Sequence, residues 1–196
     1  MFKTILMDPP WPEQGGGKIK RGADRHYPLI KKKEQILETV LRASAGSHLV
    51  FQPDPEGCHL WIWVTSNYLP WGLWLMEALG FTYKREFAWV KADPPKDAED
   101  WWDDLPPAGG PWMLQRPGLG QYSMGQHELL LFGTSGKAMK PASKDRPRSV
   151  IMAPRGAHSE KPQAAYEAIE KISPEPRLEM FARAHRDGWY GWGNEV

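Results

Sequence analysis

The sequence lacks several features that particular classes of protein need. It has one cysteine, Cys58, so an intramolecular disulfide is impossible. Its six histidines show no paired ligand spacing, so we expect no metal site. No apolar run is long enough for a signal peptide or a membrane span, so we expect a cytoplasmic protein with no membrane partner. The glycine run 15–17 lacks the Gly-Lys-Ser/Thr ending of a phosphate loop.

Charge is nearly balanced over the whole chain but is unevenly placed. The net charge is +1, yet basic residues concentrate in two Gly- and Pro-bearing segments, 15–33 and 137–155. These segments fit a surface that binds phosphate groups, or they are ordinary solvated loops. The candidate phosphate contacts in the first segment are Lys18, Lys20, Arg21 and Arg25.

Strand and helix patterns alternate along the chain. The predicted strands are 3–7, 60–65, 81–91, 128–132, 150–153, 177–182 and 189–192. The predicted helices are 34–43, 69–79 and 162–172. This alternation predicts one α/β domain over residues 1–196, with a mostly parallel sheet and helices on both faces. The final short strands could form an antiparallel edge, and we expect the long loops 12–32, 92–126 and 134–149 at the substrate face.

The central segment 93–126 has little regular pattern and is rich in Pro, Gly and Trp. A loop of this length in a compact domain is usually functional or disordered. Arg116, Gln121 and Tyr122 would suit contact with nucleic acid. The alternative is that the tryptophans of this segment simply pack onto the domain.

A short motif, Asp8-Pro9-Pro10-Trp11, directly follows the apolar run at residues 4–7. The amino nitrogen of adenine is a poor nucleophile, because its lone pair is delocalised into the ring. Asp8 and the carbonyl of Pro9 could each accept one of its hydrogens and stabilise the positive charge that grows during methyl transfer. Trp11 could stack on a base taken out of its helix.

The same motif also fits a plain turn after a strand, since Asp and Pro are common turn formers. A second copy, at residues 93–96, follows another apolar run but has Lys96 in place of the aromatic residue. It cannot stack a base in the same way, so we interpret it as a strand exit.

Seven segments, in this order, resemble the N6-adenine methyltransferases that carry a DPPW motif. They are Asp8-Pro9-Pro10-Trp11, His26-Tyr27-Pro28, Leu60-Trp61-Ile62-Trp63-Val64-Thr65, Phe87-Ala88-Trp89-Val90-Lys91, His158-Ser159-Glu160-Lys161-Pro162, Leu178-Glu179-Met180-Phe181-Ala182-Arg183 and Gly191-Trp192-Gly193-Asn194-Glu195. The resemblance covers most of the chain. It implies a Rossmann-like, S-adenosylmethionine-dependent methyltransferase fold in permuted order, with the catalytic motif first and the cofactor segment last.

The resemblance also assigns roles to individual residues. It implies that Tyr27 lies near the flipped base and that Lys161 pairs with the cofactor carboxylate. Asp8 would lie near the cofactor amino group as well as the substrate amine. The residues implied around the ribose and methionine portions are Arg183, His185, Asn194 and Glu195. Taken singly, Lys161 could be a solvated residue at a helix start, and Asn194-Glu195 a frayed end.

The chain departs from the eukaryotic RNA enzymes of this family, because it lacks their additional domains and its central loop differs. These differences favour the small bacterial and phage branch and therefore DNA, by analogy. The same methylation of RNA and a catalytically inactive partner that only binds nucleic acid remain alternatives. We expect a monomer or a homodimer.

Overall fold

The computed structural model describes residues 1–12, 30–43, 50–94, 112–118, 122–156 and 160–193. Within these residues the chain forms eight strands and three α-helices. In chain order they are β1 (Thr4–Met7), α1 (Lys33–Arg42), β2 (Gly57–Val64), α2 (Leu69–Ala78), β3 (Thr82–Asp93), β4 (Met113–Leu114), β5 (His127–Gly136), β6 (Val150–Ala153), α3 (Gln163–Ile172), β7 (Arg177–Met180) and β8 (Trp189–Trp192). Every predicted element is present, and β4 is additional. No helix in this part of the chain has the length and apolar character to cross a membrane.

All eight strands belong to one mixed sheet with the order β4-β3-β5-β2-β1-β7-β8, and β6 also pairs with β3. Neighbours β2, β1, β7 and β8 are parallel. The antiparallel strand is β5, which lies inside the sheet between β2 and β3. The expectation of antiparallel final strands is therefore wrong. The short strand β4 is also antiparallel to β3.

Helices cover both faces of the sheet, as predicted. Side chains of a strand alternate between its two faces, so β2 contributes to two separate cores. On one face Leu60 and Ile62 pack with Ile36 of α1 and with α2. On the other face Trp61 and Trp63 pack with α3. The sheet therefore lies between two layers of helices.

The strand directions define two edges of the sheet. At the carboxyl edge β1, β2 and β7 end, and the next residues are Asp8, Thr65 and Phe181. Because β3 is antiparallel to β5, and β5 to β2, Asp93 also lies at the carboxyl edge. At the opposite, amino edge the first residue of β2, Gly57, pairs with the last residue of β5, Gly136.

This pairing locates the start of the segment 134–149. Residues 134–136 belong to β5, and Lys137 follows at the amino edge, where its N–H donates to the Glu56 carbonyl at 2.6 Å. At about 3.3 Å per residue, the eight residues of β2 place this edge roughly 25 Å from the carboxyl edge. The second basic segment therefore begins far from Asp8. It reaches the level of the end of β2 at Val150, because Val150 pairs with Ala88, and both Ala88 and Val64 pair with Leu129.

A buried polar network anchors this loop to the amino edge. The His59 ring donates from Nε2 to the carbonyl of Met139 at 2.8 Å. Its Nδ1 lies 2.9 Å from the hydroxyl of Ser173, to which Trp61 Nε1 also donates; in the neutral ring Nδ1 accepts from that hydroxyl. Burial lowers the pKa of His59, and this outweighs the hydrogen bond to the Met139 backbone, which raises it.

Candidate active site at the carboxyl edge

Asp8 occupies the first position after β1, at the carboxyl edge. Its backbone N–H donates to the carbonyl of Met180 on β7 at 3.4 Å. The following residues, Pro9 and Pro10, have no N–H to continue the strand ladder, so the chain leaves the sheet here. The Asp8 side chain is 16% exposed and lies between strands that end on either side of it.

The rest of the motif is held in place by hydrogen bonds. The N–H of Trp11 donates to the Pro9 carbonyl at 2.7 Å, and its indole Nε1 donates to the carbonyl of Trp63 at 2.8 Å. The indole is 5% exposed and stacks on Tyr68, with ring centroids 5.9 Å apart. This packing differs from the open stacking surface expected from the sequence. In this structure Trp11 anchors the motif to β2, because a buried indole N–H needs an acceptor.

Lys161 connects two carboxylates at this site. Its Nζ lies 3.2 Å from Oδ2 of Asp8 and 3.2 Å from Oε2 of Glu128. Burial disfavours the charged ammonium, but the two carboxylates outweigh burial and raise the pKa of Lys161. Lys161 therefore stays protonated, and it holds Asp8 in a fixed position at the end of β1.

Glu128 is a site residue that the sequence reasoning missed. It lies near the start of β5, and its Oε1 accepts from Lys91 Nζ at 2.6 Å while Oε2 contacts Lys161. Burial raises its pKa, but the two lysines together lower it below the usual value. The signal in the sequence was a carboxylate at the start of a buried apolar strand, a position where an unpaired charge is costly.

The exits of β7 and β8 approach Asp8 from the other side. Arg183 Nη2 lies 3.7 Å from Asp8 Oδ2. Phe181 has a positive φ of 63°, which turns the chain directly after β7. Gly193 packs so closely against this turn that an added Cβ would lie 2.0 Å from the Ala182 carbonyl. This close contact carries the C-terminal segment to the carboxyl edge.

A second buried carboxylate, Glu179 on β7, was also missed by the sequence reasoning. Tyr166 of α3 donates its hydroxyl to Glu179 Oε1 at 2.8 Å. Burial raises the pKa of Glu179, and the neighbouring charge of Asp8 adds to the rise. The guanidinium of Arg186 lies over the ring of Tyr166 at 3.5 Å. Cations and carboxylates thus alternate around Asp8.

The structure brings some of the predicted site residues together and leaves others apart. Asp8, Lys161 and Arg183 form one cluster. His185 is exposed in the segment that follows Arg183, and Arg116 and Tyr122 are exposed beyond β3. The predicted residues that lie outside the described part of the chain are Tyr27, Lys18, Lys20, Arg21, Arg25, Gln121, Asn194 and Glu195. Among the described residues, no group of three or more His, Cys, Asp or Glu side chains is arranged to hold a metal ion.

The second Asp-Pro-Pro sequence is a strand exit, as far as the structure describes it. Asp93 is the last residue of β3 and is exposed. Its carboxylate accepts a hydrogen bond from the side-chain amide of Gln115 at 2.6 Å. Asp93 therefore holds Gln115, the residue after β4, at the end of β3.

Comparison with known proteins identifies the family that this chain resembles. Residues 112–195, which include Glu128, Lys161 and Arg183, match the MT-A70 family model. These residues belong to an MT-A70 methyltransferase domain. The Type II methyltransferase M.MunI of a Mycoplasma species is 28% identical over the whole of this chain and 78% of its own length. This alignment includes Asp8 as well as the matched C-terminal part.

Eukaryotic proteins also align with the whole chain. The N6-methyladenosine RNA methyltransferase MTA1 of Cryphonectria parasitica is 26% identical, and the chain spans 52% of its length. A probable N(6)-adenosine-methyltransferase MT-A70-like protein of Oryza sativa is 26% identical, and the chain spans 23% of its length. The resemblance to N6-adenine methyltransferases is thus confirmed for the family. The name of the fungal relative states RNA, and the name of the Mycoplasma relative states no nucleic acid.

Proposed function

We propose that this MT-A70 domain transfers a methyl group from S-adenosylmethionine to the N6 amine of adenine in DNA, with the target base outside its helix. The observation that carries the proposal is Asp8, held at the carboxyl edge between Lys161 and Arg183 and followed by two prolines. Charged groups fixed in advance at a reacting centre are the usual source of transition-state stabilisation.

The residues around Asp8 fit the cofactor chemically. S-adenosylmethionine ends in an amino acid, so its binding site needs a carboxylate and a cation, which Asp8 and the partly exposed Arg183 can supply. Among the described residues, the buried indole N–H of Trp63 has no hydrogen-bond partner, and its ring lies 5.3 Å from Lys161 Nζ. A bound molecule can satisfy such an orphaned donor. When bound, S-adenosylmethionine supplies a methyl group on a positively charged sulfur. The predicted roles of His185, Asn194 and Glu195 remain part of this proposal.

The motif at residues 8–11 suits the adenine amine. Asp8 accepts one amine hydrogen, and the Pro9 carbonyl has a second lone pair beyond the one that Trp11 N–H uses. Bound S-adenosylmethionine would supply the methyl group to this amine. The nitrogen would then carry positive charge until it released a proton to solvent, and the Asp8 carboxylate would stabilise that charge. Holding the amine in line with the methyl group supplies the rest of the rate enhancement.

DNA is the proposed substrate because the bacterial relative, which the chain spans over 78% of its length, is named a Type II methyltransferase. The fungal relative, named an RNA methyltransferase, supports RNA as the second candidate. An inactive nucleic-acid-binding partner is the third alternative, and the intact motif at Asp8 argues against it.

Incubation with S-adenosylmethionine carrying a labelled methyl group, and with DNA and RNA pools of matched sequence, tests the proposal. We expect label in DNA, recovered as N6-methyladenine after digestion to nucleosides. Label in RNA alone would replace DNA by the second candidate. Label in neither pool, from a protein whose thermal unfolding shows that it is folded, would favour the inactive partner.

A further inference from the structure

A projecting hairpin beyond β3 exposes large apolar side chains. We define the apolar hairpin as residues 112–118 and 122–126, which include β4 and the bridge between Gly118 and Gly125. Its apolar residues are far more exposed than those of the two cores. They are Met113 (65% exposed), Leu114 (58%), Tyr122 (100%) and Met124 (63%). Large exposed apolar side chains grouped on one short segment are typical of a surface that another molecule covers.

Backbone and side-chain hydrogen bonds hold the apolar hairpin to β3. Gln115 N–H donates to the Lys91 carbonyl, and Lys91 N–H donates to the Gln126 carbonyl, both at 2.9 Å. Gly118 N–H donates to the Gly125 carbonyl at 2.8 Å. These bonds hold the backbone of the apolar hairpin against β3. Because its large apolar side chains stay in contact with water, they add no hydrophobic stabilisation to the fold.

The apolar hairpin lies beside the candidate active site. Lys91, whose backbone pairs with it, contacts Glu128 through its side chain at 2.6 Å. Glu128 in turn contacts Lys161, and Lys161 contacts Asp8. Three ion pairs thus link the base of the hairpin to the residue that is proposed to hold the target amine.

The charge around the hairpin fits a nucleic-acid backbone. Arg155 Nη2 donates to the Arg116 carbonyl at 3.0 Å, so two exposed guanidinium groups lie at the base of the hairpin. The Arg155 backbone N–H also donates to the side chain of Gln115 at 3.1 Å. Arginine side chains bind phosphate oxygens through charge-assisted hydrogen bonds. Apolar side chains flanked by arginines are a pattern of proteins that insert wedges between base pairs.

We infer that the apolar hairpin inserts side chains into a nucleic-acid duplex, where they fill the gap that the extruded adenine leaves. The inference rests on the proposed function and extends it, because it makes the substrate a base-paired duplex. Extrusion costs unpairing and unstacking energy, and an inserted apolar side chain offsets part of that cost. The gap forms next to the extruded base, which matches the position of the hairpin beside Asp8.

The test combines one hairpin variant with three DNA probes. The variant is Tyr122→Ala with Met124→Ala. Its matched control is Tyr190→Ala with Met139→Ala, because these residues are 64% and 49% exposed and lie outside the hairpin. The probes are a pool of random-sequence single strands, the same pool made fully duplex by primer extension, and the duplex pool after melting and reannealing, which introduces mismatches. Methyl incorporation is measured at subsaturating DNA.

We expect the hairpin variant to lose about tenfold in methyl incorporation on the perfect duplex, the size of one lost stacking interaction. Incorporation into single strands should stay within about twofold of the unchanged protein, and mismatched duplex should restore most of the loss, since mismatched bases are extruded at lower cost. The control variant should behave like the unchanged protein on all three probes.

Three results would overturn the inference while leaving the proposed function in place. One is an equal loss on all three probes, and another is full activity of the hairpin variant on perfect duplex. The third is a dimer of the unchanged protein that the hairpin variant converts to a monomer in sedimentation, because a second copy would then cover the hairpin. Absence of methylation by the unchanged protein on every probe would instead contradict the proposed function.

Discussion

The ammonium group of Lys161 lies 3.2 Å from Oδ2 of Asp8, and its other carboxylate partner is Glu128 at the same distance. A lysine between two partly buried carboxylates compensates both charges at once. Removing it would leave two anions close together in a poorly solvated place. Lys161 therefore contributes both to the stability of the fold and to the orientation of Asp8.

We predict that Lys161→Met lowers the free energy of unfolding at neutral pH by about 3 kcal/mol, because it removes the cation shared by two close, partly buried carboxylates, which keep only Lys91 and Arg183. The pKa of Glu128 is lowered in the folded protein, so its ion pairs contribute fully above the usual value of 4.5 and are lost as the pH falls through the lowered value. The stability difference between variant and unchanged protein should therefore shrink toward low pH. Urea unfolding at several pH values measures it, and a difference independent of pH would contradict the assignment.

The network at the amino edge predicts a second pH dependence. Burial lowers the pKa of His59 below 6.5, so the unfolded chain binds the proton more readily than the folded protein does. This contribution to stability is fully present above pH 6.5 and is lost as the pH falls toward the lowered folded value. His59→Gln should flatten the pH dependence of urea unfolding in this range. His185→Gln, at an exposed position, serves as the control, and equal slopes in the two variants would refute the prediction.

Gly193 tests the junction between the exits of β7 and β8. A methyl group at this position would lie 2.0 Å from the Ala182 carbonyl, so Gly193→Ala must displace the segment next to Arg183. We expect weaker binding of S-adenosylmethionine by calorimetry, by about tenfold or more, which is the effect of about 1.4 kcal/mol. Gly125→Ala is the control, because an added Cβ there would meet nothing within 4 Å. Unchanged cofactor affinity in both variants would remove this junction from the cofactor site.

The two groups of basic residues at opposite edges predict different salt dependence. Arg116→Gln with Arg155→Gln should weaken binding to a short DNA duplex of any sequence, and each lost phosphate contact should reduce the log–log salt slope by about 0.9. Lys137→Gln with Lys140→Gln removes the same charge from the start of the loop at the amino edge. We expect this second pair to leave the slope unchanged in filter binding. The reverse outcome would place the phosphate-binding surface at the amino edge.

The sequence predicts the secondary structure well because its elements are short apolar segments between turn residues. The predicted bounds of β6 and β8 are the observed ones. Strand direction was harder to predict, since the hydrophobic pattern of β5 is the same for a parallel or an antiparallel neighbour. The start of the second basic segment could not be located from the sequence for the same reason: a loop follows β5 at the amino edge only because β5 is antiparallel.

The candidate site was predicted in part. Asp8 and Lys161 could be found because they belong to recognisable motifs, and the structure brings them into contact. Glu128 was missed: a carboxylate at the start of an apolar strand indicates a paired charge, but its partner Lys161 is a tertiary contact that no local pattern encodes. Likewise the burial of Trp11 depends on a backbone carbonyl of β2 and on the ring of Tyr68, both distant in sequence.

Methyl transfer by Asp8→Ala tests the central claim most directly. The reference is Asp145→Ala, which removes an exposed carboxylate from the loop that follows β5. Both proteins are compared at saturating S-adenosylmethionine, after thermal unfolding has shown that they are folded. We predict that Asp8→Ala lowers kcat by ~10²–10³, the usual cost of removing one fixed group that stabilises a transition state. Asp145→Ala should retain full activity. An Asp8→Ala protein with turnover close to that of the reference would contradict the account.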